Sequence, residues 1–104
     1  MRNQLTCEWE TGHDFVYRVK HGENVRLLAV RFQTTAGLLI ADNRLLAEVE
    51  EGDLLLVKKY QGRRYRITPS DTPRSLEKLF GVSYDKILET NKATYLYVGM
   101  DIIV

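Results

Sequence analysis

The residue types that most often carry chemistry are few in this sequence and widely separated. His13 and His21 are eight residues apart, and Cys7 is the single cysteine. This spacing fits no zinc-binding pattern, and a lone cysteine cannot form an internal disulfide. No set of histidine, carboxylate and nucleophile recurs along the chain, which leaves no basis for a catalytic centre. The sequence therefore predicts a protein that is not an enzyme and that uses neither a metal nor a cofactor.

One run of basic residues and tyrosines, residues 58–66, could in principle hold phosphates and stack on bases. The whole chain, however, has 15 basic and 14 acidic residues and a net charge of +1. Binding to nucleic acid depends on a strong positive charge that displaces counterions from the phosphates. We therefore expect this run to form a solvated hairpin tip, and we do not expect nucleic acid as a partner.

Composition limits the class of protein further. Of the 104 residues, 44% are hydrophobic and 28% are charged, a balance typical of soluble globular domains. No apolar run approaches the roughly 18 residues of a membrane span. The first ten residues contain no apolar segment of the kind found in signal peptides. We expect a chain that is made as a soluble cytoplasmic protein and has no membrane partner.

The sequence repeats itself at a spacing of 48 residues. The identical residues at this spacing are Tyr17 and Tyr65, Arg18 and Arg66, Arg26 and Arg74, Leu28 and Leu76, Phe32 and Phe80, and Asn43 and Asn91. After a one-residue gap, Gly52 matches Gly99 and Val57 matches Val104. A repeat of this kind predicts two units of similar structure in one short chain.

Local patterns predict the order strand, helix, helix, strand in each unit. Residues 65–67 alternate as a half-buried strand does, and Thr72 followed by Pro73 is typical of a helix start. The predicted helices cover residues 24–32, 36–43, 73–80 and 84–91. One core is expected to contain Tyr17, Leu28, Phe32, Leu39 and Leu55, and the other Tyr65, Leu76, Phe80, Ile87 and Ile102.

Both units resemble the LysM domain. The second matches the family pattern at Tyr65, Ile67, Asp71, Thr72, Leu76, Phe80, Gly81, Val82, Asn91, Leu96, Tyr97, Gly99, Ile102 and Val104. The first matches at Tyr17, Val19, Gly22, Val25, Leu28, Ala29, Phe32, Asn43, Val49, Gly52, Leu55 and Val57. The resemblance implies an α+β fold of two LysM-like βααβ units. Each has two short helices on a small antiparallel sheet, and an N-terminal strand or hairpin extends the first.

The resemblance also implies a function and a site. LysM modules bind glycans that contain N-acetylglucosamine, chiefly peptidoglycan and chitin, in a shallow groove between the first strand–helix loop and the second helix–strand loop. The family binds the acetamido group through loop N–H and C=O groups and packs apolar side chains on the sugar face. In the second unit the mapped residues are Asp71, Thr72, Pro73, Thr94, Tyr95 and Leu96. In the first they are Glu23, Asn24, Val25, Leu46 and Ala47. Asn24 and Thr72 can equally serve as helix caps.

An alternative function stays open at this point. LysM-like units also occur in structural or assembly proteins of spore coats and phage tails, and such a protein would keep the fold without binding sugar. The resemblance implies that the protein acts at a cell wall, in a spore or in a phage particle.

The expected domain organisation has four parts. Residues 1–14 form an N-terminal strand and turn, in which Leu5, Cys7 and Trp9 share one face. Residues 15–59 form the first repeat, 60–62 a short hairpin-like joint, and 63–104 the second repeat. A hairpin at the joint would place Val57 opposite Tyr65.

The strand from Leu54 to Val57 is apolar on both faces, although a strand open to water should alternate. Something is therefore expected to cover Leu54 and Leu56. The sequence leaves three candidates, namely the N-terminal strand of the same chain, the other repeat, or a second copy in a homodimer.

Overall fold

The structure is a computed structural model and describes residues 13–104. The strand expected at Leu5, Cys7 and Trp9 lies outside the described residues. The chain divides into two compact units, with the boundary between Tyr60 and Gln61.

Each unit has the predicted order of elements. In the first unit these are β1 (Phe15–Arg18), α1 (Val25–Arg31), α2 (Ala36–Asn43) and β2 (Leu54–Val57). In the second they are β3 (Arg64–Arg66), α3 (Pro73–Phe80), α4 (Tyr84–Thr90) and β4 (Asp101–Ile103). The predicted fold class, α+β with two βααβ units, is confirmed, and the four helices lie within about one residue of their predicted ends.

The first and last strands of each unit pair with each other in an antiparallel two-stranded sheet. Tyr17 lies opposite Leu55, and Tyr65 lies opposite Ile102. The register expected across the joint, with Val57 opposite Tyr65, is wrong, because among the described residues β2 pairs only with β1 and β3 only with β4. The two helices of each unit return the chain to its own first strand, and this pairing puts Tyr17 and Leu55 on the same buried face.

The segment after Gln61 belongs to the second unit. Arg63 and Val104 exchange two backbone hydrogen bonds of 2.8 and 2.9 Å. Gly62 has a φ of 121°, and a Cβ there would collide with the carbonyl of Val104. Only glycine fits this conformation and this close approach. The joint therefore continues as an extension of β3 along β4.

Side-chain caps start all four helices. Asn24, Thr35, Thr72 and Ser83 each accept a hydrogen bond from the backbone N–H three residues later. At Thr72 the cap is reciprocal, because the Ser75 hydroxyl also accepts from the Thr72 N–H at 2.8 Å. The caps at Asn24 and Thr72 fix where the first strand–helix loop of each unit ends.

The first core has the predicted membership. Tyr17, Leu28, Phe32, Leu39 and Leu55 are all buried. In the second unit, Leu76, Ile87 and Ile102 are buried as predicted. Tyr65 and Phe80 are only partly buried and pack on the edge of that core, so their expected full burial is wrong.

Tyr65 and Phe80 are less buried than their counterparts because the two units differ at one position. In the first unit, Phe15 packs edge-on against Phe32, with ring centroids 5.2 Å apart. The residue 48 positions later is Arg63 rather than phenylalanine. A cavity of about 270 Å³ lies there, between Arg63, Phe80 and their neighbours. The second core therefore lacks one ring that the first core has.

Phe32 and Phe80 nevertheless occupy equivalent places. Each makes an edge-to-face contact with the tyrosine of its first strand, at 4.9 Å from Tyr17 and 5.1 Å from Tyr65. This contact is the same in both units although the surrounding burial differs. It confirms that the repeat in the sequence is a repeat in the structure.

The outward face of the first sheet remains apolar. Val16 is 65% exposed and Leu54 is 59% exposed, whereas Leu56 is half-buried. Leu55 and Val57, on the other face, are buried. Within residues 13–104, the cover expected over Leu54 is absent.

Candidate functional site

The first strand–helix loop of each unit is closed by a carboxylate that binds the strand tyrosine. Glu23 accepts from the Tyr17 hydroxyl at 2.8 Å, from the Lys20 N–H at 2.7 Å and from the Arg31 guanidinium at 2.9 Å. The resemblance maps Glu23, like Asp71 of the second unit, to the ligand groove. The hydrogen-bonding capacity of Glu23 is directed to its own loop.

Asp71 makes the matching set in the second unit. It accepts from the Tyr65 hydroxyl at 2.8 Å and from the Thr68 N–H at 2.7 Å. The Thr68 hydroxyl, at 3.1 Å, takes the place of the guanidinium. Glu23 and Asp71 therefore have the same structural role, because each carboxylate holds its loop against the first strand.

These contacts determine the charge state of both carboxylates. The Thr68 N–H and then the Tyr65 hydroxyl lower the pKa of Asp71. Burial acts to raise the pKa of Glu23, but the Lys20 N–H, the Tyr17 hydroxyl and Arg31 together lower it. Both groups are consequently ionised near neutral pH and can only accept hydrogen bonds.

The second loop of each unit starts at an asparagine that ties α2 or α4 to the last strand. The Asn43 amide donates to the Leu39 and Leu56 carbonyls at 3.0 and 2.9 Å, and it accepts from the Leu56 N–H at 2.7 Å. Asn91 does the same with Ile87 and Ile103, at 2.9, 3.0 and 2.7 Å. Sequence reasoning paired the two asparagines but gave them no role.

An open groove of about 320 Å³ lies between the two loops of the first unit. The residues that line it are Val25, Arg26, Ala36, Ile40, Leu45, Leu46, Ala47 and Glu48. Three of the five mapped residues of this unit, Val25, Leu46 and Ala47, are among them. Glu23 and Asn24 are not, since Glu23 closes its loop and Asn24 caps α1 through the Leu27 N–H at 2.9 Å.

The residues mapped by the resemblance do not include the α2 side of this groove. Ala36 and Ile40 stand four residues apart on α2, which places them on one helix face. Ile40 is 43% exposed, and that helical spacing was the signal that could have found it. The lining is mainly apolar, and Arg26 and Glu48 are its two charged members.

Glu48 is the least expected residue of the groove. Its Oε2 accepts from the Val25 N–H at 3.0 Å and from the Val49 N–H at 2.9 Å. The carboxylate therefore connects the two loops that form the groove, and it uses a loop donor that a ligand could otherwise use. No sequence signal in the repeat indicated this contact.

In the second unit, the mapped residues fall into a capping group and an exposed group. Thr72 caps α3 through the Ser75 N–H at 3.1 Å, and Pro73 is its first helical residue. Thr94 and Tyr95 are exposed, and Leu96 packs on the second core. Tyr95 is 67% exposed.

The ring of Tyr95 lies 6.3 Å from the ring of Tyr97, which is itself 57% exposed. Sequence reasoning matched Tyr97 to the family pattern but did not place it in the site. Two neighbouring exposed tyrosines form an amphipathic surface, since each ring has an apolar face and a polar tip.

The described part of the chain contains neither a candidate metal site nor a helix that could span a membrane. Among residues 13–104, no three His, Cys, Asp or Glu side chains are grouped in a way that could hold a metal ion. In the same residues, no helix has the length and apolar character needed to cross a membrane.

The fold and the site define a class of protein, two small βααβ modules in one chain with an open groove between the two loops of the first. The LysM domain family model matches residues 17–55 and 65–104. The chain therefore belongs to the LysM domain family and contains two tandem LysM repeats. LysM is a binding domain rather than a catalytic one, and its members generally bind glycans that contain N-acetylglucosamine, such as peptidoglycan.

Two solved structures resemble the chain, and both are spore cortex-lytic enzymes named SleL. The enzyme from Bacillus megaterium QM B1551 is 26% identical with a TM-score of 0.43, over 89% of this chain and 23% of that chain. The enzyme from Bacillus cereus is 23% identical with a TM-score of 0.43, over 88% and 22%. The chain thus spans less than a quarter of either enzyme. No curated protein sequence matches it.

Proposed function

We propose that the chain is a non-catalytic module that binds N-acetylglucosamine-containing glycan, of the peptidoglycan or chitin type, through its loop grooves. The observation that carries this proposal is the open groove of the first unit, which the two loops implied by the resemblance form between them. Its lining of Val25, Ile40, Leu46 and Ala47 offers apolar contact to the face of a sugar ring. A groove whose lining is mainly apolar suits the ring faces of a polysaccharide.

In the second unit we assign the contact surface to Pro73, Thr94, Tyr95 and Leu96. Tyr95 is the main candidate, because an exposed ring can pack on a sugar face while its hydroxyl bonds to water or to the sugar. Asp71 contributes indirectly by holding the loop that presents this surface.

The same reasoning applies to Thr72, Glu23 and Asn24. Their hydrogen bonds within the protein shape the two grooves, so we propose a supporting role for them.

Co-sedimentation with insoluble peptidoglycan and with chitin tests the proposal. The wild-type chain should sediment with at least one of them, and added salt should change the bound fraction little because the contacts are neutral. Leu46→Glu combined with Tyr95→Ala should reduce binding strongly, since the first change replaces an apolar groove contact with a charge and the second removes the exposed ring. Leu79→Glu is the matched control, because Leu79 is 61% exposed and does not line the groove.

No sedimentation of the wild-type chain, or equal sedimentation of the double variant and the control, would reject the glycan function. The structural or assembly function of LysM-like proteins would then replace it. Binding to peptidoglycan would place the working location of the protein at a cell wall, a spore or a phage particle.

We also propose that the chain forms a homodimer through the outward face of the first sheet. Val16 and Leu54 are exposed there, and Leu56, opposite Val16, completes an apolar strip. An apolar sheet face that residues 13–104 leave uncovered gains stability when a second copy buries it.

A further inference from the structure

The groove of the first unit and the matching loop surface of the second unit, named here the second groove, differ in chemistry at one matched position. Gly52 and Gly99 are equivalent, because each donates its N–H at 2.8 Å to the residue that follows the first strand, Val19 or Ile67. Four residues before these glycines stand Glu48 and Tyr95. The first groove therefore has a carboxylate where the second has an aromatic ring.

The backbone group that faces this position also differs between the units. In the first unit, Val25 supplies the N–H that Glu48 accepts at 3.0 Å. In the second unit the same place is taken by Pro73, which has no N–H. The donor and its acceptor are thus both present in the first groove and both missing in the second.

The Glu48 carboxylate is held in a defined position with capacity to spare. Both of its backbone hydrogen bonds, from Val25 and Val49, fall on Oε2. Within residues 13–104 no hydrogen bond or ion pair reaches Oε1. The groove thus presents a fixed anionic acceptor to whatever enters it.

Arg26, the other charged residue of the first groove, does not account for the difference between the grooves. The repeat places Arg74 at the matching position of the second unit. Because both units carry this cation, the charge that distinguishes the grooves comes from Glu48. Arg26 is also the like charge that a cationic ligand must avoid.

We propose, on the basis of the glycan function above, that Glu48 makes the first groove selective for glycan with an unacetylated amino group, that is, glucosamine units. The ammonium group at C2 donates a charge-assisted hydrogen bond to the carboxylate. The carbonyl of an acetamido group instead meets an anionic oxygen and finds the Val25 N–H already bonded. The second groove, with Tyr95, takes the neutral N-acetylated unit.

The expected selectivity is modest because Glu48 is exposed. An ion pair in contact with water typically changes affinity by about two- to fivefold, and salt reduces that change. The prediction is therefore a preference of this size at the first groove and the opposite preference at the second.

Amide chemical shifts of the full chain can measure both grooves at once. Glucosamine oligomers and N-acetylglucosamine oligomers of equal length are titrated separately, at a mildly acidic pH at which the sugar amine is protonated. The Val25 and Val49 amides should report a dissociation constant two- to fivefold lower for the glucosamine oligomer. The amides of Tyr95 and Leu96 should report tighter binding of the N-acetylated oligomer.

Two variants separate the charge of Glu48 from its hydrogen bonds. Glu48→Gln retains an oxygen that can accept from Val25 and Val49 but lacks the charge, so the preference of the first groove should disappear. Glu50→Gln removes the same charge from an exposed side chain outside the groove and should leave the preference unchanged.

The outcomes distinguish this inference from the function on which it rests. Equal binding of the two oligomers at Val25 and Val49, or a preference that survives Glu48→Gln, would overturn the inference while glycan binding stands. If neither oligomer moves the amides of either groove, both the inference and the glycan function are wrong.

Discussion

Asn43 and Asn91 occupy the same place in the two units, and each joins the second helix to the last strand through three hydrogen bonds of 2.7–3.0 Å. Each amide donates to one carbonyl of its helix and one of its strand, and each accepts from the strand N–H. A short helix and an edge strand are thereby fixed at the start of the loop that forms one wall of the groove.

Removing this amide should destabilise the second unit. Asn91 is 3% exposed, so Asn91→Ala leaves an N–H and two carbonyls of the backbone without their partner in a buried place. We expect a loss of about 2–3 kcal/mol in the free energy of unfolding, measured by urea denaturation. The effect of Asn43→Ala should be smaller, because Asn43 is only part-buried. A loss below about 0.5 kcal/mol for Asn91→Ala would show that the amide does not hold the strand.

The two equivalent phenylalanines should differ in their contribution to stability. Phe32 is 1% exposed and contacts both Phe15 and Tyr17, so Phe32→Ala should cost about 3–5 kcal/mol. Phe80 is only partly buried, since Arg63 stands in the place of Phe15, and Phe80→Ala should cost about half as much. Thermal denaturation of the two variants gives the comparison, and an equal loss would contradict the described difference between the cores.

Acid should weaken the loop that Asp71 closes. The pKa of this carboxyl is lowered from its ordinary value of 3.8, chiefly by the Thr68 N–H. Its contribution to stability is therefore complete above that value and is lost as the pH falls through the lowered pKa. Asp71→Asn should thus lower the urea midpoint at neutral pH and have little effect in strong acid.

Tyr65→Phe tests the origin of this pH dependence. It removes the hydroxyl that donates to Asp71 at 2.8 Å and should reduce the loss of stability in acid. A stability difference between the wild type and Asp71→Asn that stays constant from neutral pH to strong acid would contradict the assignment.

The exposed apolar face of the first sheet should govern self-association. Light scattering of the wild-type chain should give about twice the 12.1 kDa of one chain, and Leu54→Glu should return the mass to that of a monomer. Leu79→Glu places the same charge on an exposed leucine of α3 and serves as the control. A concentration-independent mass near 12.1 kDa for the wild type would reject the dimer.

The sequence predicted the fold because its repeat and its helix signals agree. Thr72 followed by Pro73 is typical of a helix start, and Phe32 and Phe80 at a spacing of 48 residues indicate the equivalence of the units. The strand pairing was harder, because Leu55 points to the core whether β2 pairs with β1 or with β3. The alternation of one strand therefore does not identify its partner.

The candidate site was less predictable than the fold. The loops that flank the groove follow from the resemblance, but the direction of a long polar side chain does not. Glu48 reads as an exposed loop residue, and only the structure places its carboxylate on the Val25 and Val49 N–H groups. The difference between Phe15 and Arg63 is visible in the sequence, but its effect on Phe80 depends on packing.

The most direct test of the central claim is an amide chemical-shift titration of the full chain with N-acetylglucosamine oligomers. The account predicts saturable shifts confined to the loops that flank the grooves, residues 46–48 in the first unit and residues 71–74 and 94–97 in the second. Amides of the outward sheet face, such as Val16 and Leu54, should not shift. A titration in which none of the groove amides moves, or in which Val16 and Leu54 shift as much as the loops, would contradict glycan binding at these grooves.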